Sequence, residues 1–379
     1  MLTQDVKLIS VDDHIIEPPN TFQDYLPAKY KEDGPRIIDL NEFVEAWLWE
    51  GRTYPIGLMG SPKTRIFRDE EGGTDEDFRA RSYRDMIPAC YDVKARVEAM
   101  DLDGVHAALN FPTFPRFAGT RFLEGTDMDL ASACVRAWND WLIDEWCAAA
   151  PQRFIPMTMV QLWDPVLAAE ELRRCAAKGA RSVTMTESPS SNGLPSWWTR
   201  HWDPLFAAAE ETGVVLSMHI GTGGSLYSPS PDSPEAVQIS LCGVNSMGAC
   251  TDLIYSGILH RHPKVKIALS EGGAGWIPYL IERMDYTWER TRLGVDKSIP
   301  PSELFKRHFW SCFISDETAL AIRDMIGVEK LMWECDFPHN DSNWPESRAM
   351  FEKVVADIPD DVCKRLGETN ARELYNFWL

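Results

Sequence analysis

The sequence predicts an α/β protein, specifically a (β/α)8 TIM barrel with a long insertion after its first strand. Two observations favour this fold: short apolar runs recur eight times along the 379 residues, and helical patterns follow most of them. Strand–helix alternation is typical of parallel sheets, and eight such units can close into a barrel. The alternative is an open, doubly wound sheet. Its dinucleotide-binding form has no support, because no GxGxxG motif follows the first predicted strand.

The eight predicted strands are nearly continuous apolar runs, which is typical of strands buried on both faces of a sheet. We expect them to belong to a single domain over residues 1–379, because α/β barrels often exceed the ~100–200 residues of an ordinary domain. The predicted strands cover residues 7–14, 104–111, 153–160, 179–186, 213–220, 264–271, 308–315 and 330–336.

Helices between these strands are predicted from their terminal residues. Asp at the N-cap, Pro at the first helical position and Gly after the last turn are the expected signals. They predict helices over 92–104, 126–150, 164–179 and 203–213. Residues 18–91 interrupt the alternation and are rich in turn residues, so we expect an insertion that packs on one barrel end or makes a subunit contact.

Composition excludes several classes of partner. The chain has 38 basic and 58 acidic residues, a net charge of −20, which argues against nucleic acid and anionic membrane surfaces. No apolar run of about 18 residues and no secretory signal occur, so no membrane span is expected. The nine cysteines contain no CxxC pair, which favours free thiols in a reducing, cytoplasmic environment.

Candidate metal ligands lie where the predicted strands end. Strand one ends at Asp12 and His14, strand five at His219, strand six at Glu271 and strand eight at Asp336. The carboxyl ends of barrel strands form the face that holds active sites. Asp12 and His14 are two residues apart and so point together, whereas Asp13 points toward the helices. Imidazoles and carboxylates in such a set suit zinc or another divalent ion.

Each ligand also has an ordinary structural explanation. Alone, His219 could be a buried core histidine, and Asp12 or Asp336 could cap a helix. Their joint position at one barrel end favours the metal site. Other residues are candidates by location: His339 and Glu271 as acid–base groups, and five loop residues as substrate contacts, namely Trp197, Trp198, Tyr227, Trp344 and Arg116.

The segments "HIGTGG", "SEGGAGWIPYLIERMD" and "WECDFPHNDSNWPESR", with the opening Asp-x-His, resemble the amidohydrolase-related metal-dependent family. That family (amidohydrolase family 2) includes aminocarboxymuconate semialdehyde decarboxylase and γ-resorcylate decarboxylase. The resemblance covers nearly the whole chain. It implies a barrel with one divalent ion, Zn or Mn, and often a dimer. By position, the ligands fall on Asp12, His14, His219 and Asp336, the last of which also handles a proton.

Two positions depart from the family pattern. Members have His or Glu where this chain has Asp12, and its decarboxylases have His where this chain has Glu271. A carboxylate at residue 271 could bind metal or act as a base, and it would repel a substrate carboxylate that faces it.

The expected function is metal-dependent, non-oxidative decarboxylation of a small aromatic or cyclic oxygenated carboxylate. One alternative is hydrolysis of an amide, ester, lactone or activated C–C bond by metal-activated water. The third hypothesis is a barrel that binds a ligand without catalysing a reaction. It is disfavoured because every ligand position holds a residue that can bind metal.

Overall fold

The computed structural model describes residues 5–56, 80–291, 294–339 and 341–378. Within these ranges the chain alternates between strands and helices, as the apolar periodicity predicts. The strands are β1 (Leu8–Ile15), β2 (Arg36–Asn41), β3 (Val44–Trp49), β4 (Arg52–Pro55), β5 (Val105–Pro112), β6 (Phe154–Ile155), β7 (Met157–Thr158), β8 (Ser182–Met185), β9 (Val215–His219), β10 (Ile267–Ser270), β11 (Phe309–Phe313) and β12 (Leu331–Trp333).

A closed parallel barrel is formed by all of these strands except β2–β4. The pairing order is β1–β5–β6 and then β7–β8–β9–β10–β11–β12. Pro156 separates β6 from β7, so the third predicted strand pairs with β5 before this residue and with β8 after it. Asp336 N donates to Asp12 O (2.7 Å) and His14 N donates to Phe337 O (2.7 Å), which joins the ends of the first and last strands. The predicted (β/α)8 fold is confirmed.

The helices cover the outside of the barrel, and within the described ranges none is both long and apolar enough to cross a membrane. They are α1 (Thr21–Tyr25), α2 (Val93–Asp103), α3 (Met128–Trp141), α4 (Pro165–Ala177), α5 (Asp203–Thr212), α6 (Glu235–Ser240), α7 (Cys242–Tyr255), α8 (Ile258–Arg261), α9 (Ile277–Arg290), α10 (Pro301–His308), α11 (Glu317–Ala321), α12 (Arg323–Ile326), α13 (Ser347–Val354), α14 (Asp360–Lys364) and α15 (Asn370–Tyr375).

The predicted helix termini are mostly observed. Asp92 caps α2 by accepting from Ala95 N, and Asp164 caps α4 by accepting from Val166 N and Leu167 N. The prediction for α5 was wrong in one detail. Asp203 lies inside the first turn and does not cap the helix, because its carboxylate binds the Arg261 guanidinium at 2.8 Å.

The insertion after β1 packs on the carboxyl end of the barrel. Strands β2, β3 and β4 form a separate antiparallel sheet. Trp47 from this sheet contacts Phe114 in the loop after β5 (ring centroids 4.8 Å apart) and Phe22 in α1 (5.6 Å). Of the predicted insertion, residues 57–79 lie outside the described part of the chain. The described part of the segment contacts the barrel, and the alternative of a subunit contact stays a prediction.

The cap of α4 can be tested by Asp164→Ala. The substitution removes the acceptor of two backbone N–H groups, so we expect the free energy of unfolding to fall by about 1 kcal/mol. Glu170→Ala, on the exposed face of the same helix, is the matched control. Urea denaturation followed by circular dichroism measures both. Equal stability of the two variants would contradict the capping role.

Candidate metal centre

The end of β1 places consecutive side chains on opposite sides of the barrel wall. Asp13 points outward, where its carboxylate accepts from Ser10 Oγ (2.7 Å) and lies 3.7 Å from the Arg96 guanidinium. Asp12 and His14 point inward, and both are fully buried. The alternation predicted from the sequence is observed. One acid of the Asp-Asp pair is therefore held by an arginine, and the other faces the barrel interior.

His219, the last residue of β9, presents one ring nitrogen to these two residues. Its Nδ1 lies 2.7 Å from the Ile220 carbonyl oxygen, which can only accept, so Nδ1 carries the proton. The Nε2 lone pair is then free for a metal ion. This Nε2 atom lies 3.3 Å from His14 Nε2 and 3.6 Å from Asp12 Oδ2.

Glu271 and Asp336 supply two further carboxylates, immediately after β10 and close to the end of β12. Glu271 Oε2 lies 3.0 Å from His219 Nε2, and Asp336 Oδ1 lies 3.0 Å from His14 Nε2. Both residues have left-handed backbone conformations, with φ of 60° at each. Such a conformation costs a non-glycine residue about 1–3 kcal/mol and is concentrated at functional sites. The backbone is therefore strained at Glu271 and Asp336, the two residues that direct these carboxylates into the centre.

Burial changes the protonation of this cluster. It raises the pKa of the Asp12 carboxyl well above its usual range, and the neighbouring Glu334 and Asp336 raise it further. Burial also lowers the pKa of His14, as do His339 and His219. Burial by itself would lower the pKa of His339, but the Asp336 carboxylate raises it to about 9.

Several carboxylate oxygens of the centre lack the hydrogen-bond partners that a bound cation would replace. Both oxygens of Asp12 and Oδ2 of Asp336 are buried without a hydrogen-bond donor, whereas Asp336 Oδ1 lies 2.9 Å from His339 Nδ1. A buried carboxylate without a partner is costly. Donor atoms of Asp12, His14 and His219 lie within 4.8 Å of one another, as do those of His14, Asp336 and His339. Imidazole nitrogens and carboxylate oxygens in this arrangement suit Zn or Mn.

Two contributors to the centre were missed by the sequence analysis. The Phe117 ring packs 4.5 Å from the His14 ring and 4.4 Å from the His219 ring. Glu334 is buried beside the centre and accepts from Glu271 N at 3.3 Å. Glu334 precedes Asp336 by two residues, so strand alternation could have found it. No local signal identifies Phe117, because it lies in an irregular loop.

The predicted substrate contacts are scattered. Tyr227 lines a cavity of about 740 Å³ between the loops after β8 and β9 and helix α7, together with Glu187 and Asn245. Half-exposed Trp198 donates from Nε1 to Asp252, which also lines this cavity. Arg116 forms an ion pair with Glu124 at 2.5 Å, directly before Phe117.

Two of the predicted contacts lie elsewhere. Trp197 is fully buried against Trp202 and Phe206, with ring centroids 5.4 and 5.7 Å away, so it packs in the core and not at the barrel mouth. Trp344 packs against Phe337 (5.4 Å) and lines a small cavity beside Asp13, on the outer side of β1. Both tryptophans follow turn-rich sequence, which suggested exposure, but the loops fold back onto the barrel.

A family model described as amidohydrolase matches residues 67–377. The chain belongs to the amidohydrolase family. Two relatives are named γ-resorcylate decarboxylase. The one from Rhodococcus jostii is 27% identical over 264 residues (63% of this chain and 75% of the relative), and the one from a Rhizobium species is 24% identical over 311 residues (74% and 86%).

Solved structures resemble this amidohydrolase over nearly its whole length. An amidohydrolase from Mycobacterium avium subsp. paratuberculosis has a TM-score of 0.78 at 22% identity, covering 98% of this chain and 99% of that one. A 5-carboxyvanillate decarboxylase from Novosphingobium aromaticivorans, complexed with manganese and a nitrobenzoic acid, has a TM-score of 0.67 at 20% identity, covering 99% and 100%. These likenesses show the fold.

Glu17 provides a test of how the centre is supported. Its buried carboxylate accepts from Thr113 N (3.0 Å), Phe114 N (2.8 Å) and Trp138 Nε1 (2.9 Å), and so anchors the loop that carries Phe117. In Glu17→Gln an amide NH2 group replaces one acceptor oxygen. We therefore expect the free energy of unfolding to fall by about 1–3 kcal/mol.

The matched control for this prediction is Glu98→Gln, at an exposed position of α2. Denaturant titration of the three proteins gives the comparison. If Glu17→Gln were as stable as the control, the carboxylate would not anchor the loop.

Proposed function

We propose that this amidohydrolase is a metal-dependent enzyme that removes CO2 from a small aromatic or cyclic oxygenated acid without oxidation. One observation carries the proposal: ring nitrogens of His14 and His219 converge with the carboxylates of Asp12 and Asp336. Both Asp12 oxygens and Asp336 Oδ2 are buried there without a hydrogen-bond donor. The names of the relatives and of several structural neighbours support decarboxylation. Manganese in the 5-carboxyvanillate decarboxylase structure supports Mn as the ion.

The proposed roles follow from position. Asp12, His14 and His219, with Asp336, would hold the ion. When bound, it would polarise the substrate carboxylate and a neighbouring oxygen and stabilise negative charge that develops there. Asp336 can deliver a proton to the ring carbon as CO2 leaves, and His339, with Nδ1 2.9 Å from Asp336 Oδ1, is the candidate to restore that proton. Tyr227 and Trp198 are the candidate contacts for the substrate ring.

Hydrolysis is the second candidate function, and Glu271 is the observation that favours it. Its side chain is 17% exposed beside His219, where an incoming substrate would meet it. Among the described residues, no lysine or arginine forms an ion pair with Asp12, Glu271 or Asp336. A neutral ester, amide or lactone would avoid the repulsion that a carboxylate would experience.

We further propose that the enzyme is a cytoplasmic homodimer. The free cysteines support a reducing compartment. The dimer rests on the family resemblance, and light scattering at micromolar concentration measures it directly. A single species at the monomer mass would remove this part of the proposal.

Removing the ion tests whether the centre binds metal. Because binding would satisfy the buried oxygens of Asp12 and Asp336, we expect Mn²⁺ at about 100 times its Kd to stabilise the chelator-treated protein by ~2.7 kcal/mol. Denaturant titration with and without Mn²⁺ measures this. Asp12→Asn should lose the response, and Asp129→Asn, at an exposed position of α3, should keep it. An unchanged midpoint in the wild type would count against a metal centre.

The reaction class is tested by screening the Mn-loaded enzyme against hydroxybenzoates and their amides and esters, recording CO2 and acid release in parallel. We expect CO2 release, and we expect Asp336→Asn to lower kcat by about 10²–10⁴-fold because the proton donor is lost. Asp129→Asn is again the control. Acid release without CO2 would replace decarboxylation by hydrolysis.

A further inference from the structure

The cavity of about 740 Å³ beside helix α7 is distinct from the metal centre, because none of the proposed metal ligands is among the described residues that line it. Its walls are the loop after β8, the loop after β9 and one face of α7. The volume falls within the range of about 300–1,000 Å³ that small-molecule sites occupy. The cavity is therefore large enough to hold a small ligand of its own.

Two carboxylates line this cavity, those of Glu187 and Asp252. Asn245 Nδ2 donates to Glu187 Oε1 at 2.9 Å, so Glu187 lies beside Asn245 of α7. Asp252 follows Asn245 by about two helical turns, which places both residues on one face of α7. At about 1.5 Å per residue, these two positions are about 10 Å apart along the helix axis. The cavity therefore has an acid toward each end of its α7 wall.

No basic side chain balances these two acids within the cavity. Residues 201–260 contain no lysine or arginine, and the described residues that line the cavity include no lysine, arginine or histidine. Glu187 is only 4% exposed and receives its hydrogen bonds from neutral groups, an amide side chain and a backbone N–H. Asp252 receives one from the neutral Trp198 indole at 2.6 Å. Because a carboxylate buried without a cation is unfavourable, a bound cation would stabilise this site.

The lining favours an organic cation over a metal ion. Carboxylate oxygens bind metal ions at about 2.0–2.6 Å, so one ion could not reach two acids that are about 10 Å apart. Neither acid belongs to a set of three metal-binding side chains among the described residues. The lining also includes the apolar Leu226, Val244 and Ala249 and the half-exposed Tyr227 ring. Apolar side chains suit a methylene chain, and an aromatic face attracts an ammonium group.

We propose that this cavity binds a linear diamine, with one ammonium group on Glu187 and the other on Asp252. Tyr227 and Trp198 then serve the diamine and not the substrate ring. Asn245 fixes the site in advance, because its Nδ2 binds Glu187 and its Oδ1 accepts from Tyr227 N at 2.9 Å. Burial raises the pKa of the Glu187 carboxyl, and an adjacent ammonium group would favour its charged form. Neither acid takes part in the proposed reaction, so the diamine site is independent of it.

Isothermal titration calorimetry of the full chain with three probes tests the site. The probes are 1,4-diaminobutane, butylamine and 1,4-butanediol, in a buffer with Mn²⁺ and about 0.15 M salt, which screens the diffuse attraction of the acidic surface. We expect one diamine per chain, bound about 10- to 100-fold more tightly than butylamine, because the second ammonium group adds a charge-assisted hydrogen bond. The uncharged diol should not bind measurably.

Four variants locate the diamine. Glu187→Gln and Asp252→Asn should each weaken diamine binding to about the affinity of butylamine, because each removes one of the two charges. Asp232→Asn, at an exposed position of the loop after β9 outside the cavity lining, is the matched control and should keep the wild-type affinity. Glu271→Gln, at the metal centre, should also keep it.

Several outcomes would overturn the diamine site. Equal affinities for the diamine and butylamine, or the absence of diamine binding, would remove it. Binding of the diol as tight as that of the diamine would replace it by a site for neutral hydroxyl compounds. A loss in Asp232→Asn as large as in Glu187→Gln would reduce it to diffuse attraction, and a loss in Glu271→Gln would place the amine at the metal centre. Circular dichroism confirms that each variant is folded.

Discussion

Two backbone hydrogen bonds between the ends of the first and last barrel strands position the part of the centre that these strands carry. Asp336 N donates to Asp12 O, and His14 N donates to Phe337 O. The donor and acceptor residues are the proposed ligands Asp12, His14 and Asp336, together with Phe337 beside Asp336. Closure of the barrel and assembly of the centre are therefore the same event, because the β1 carboxylate and imidazole meet the β12 carboxylate only when the sheet closes.

Several features of the centre are energetically unfavourable by themselves. Glu271 and Asp336 hold left-handed backbone conformations, and both oxygens of Asp12 and Oδ2 of Asp336 lack hydrogen-bond donors. Such strain persists only where the surroundings determine the conformation strongly. Here the surroundings are Phe117 against the two histidine rings and Glu17 beneath the loop that carries Phe117. The barrel and the loop that carries Phe117 therefore stabilise the conformation of the centre.

Glu271 is the residue that distinguishes this centre chemically. A histidine at its position would leave the centre with the carboxylates of Asp12, Glu334 and Asp336. The additional acid opposes a carboxylate substrate that approaches it. The charge of the substrate that this centre can accept therefore depends on one side chain.

The sequence by itself determined the barrel strands, most helix termini and the inward pair of Asp12 and His14, but not the antiparallel strands β2–β4 of the insertion. These features depend on neighbours within a few residues: apolar periodicity, caps such as Asp164, and the alternation of a strand. Tertiary structure alone decided the placement of Phe117, the burial of Trp197 and the outward position of Trp344. Loops carry no periodic signal, so their residues take positions fixed by contacts with distant parts of the chain.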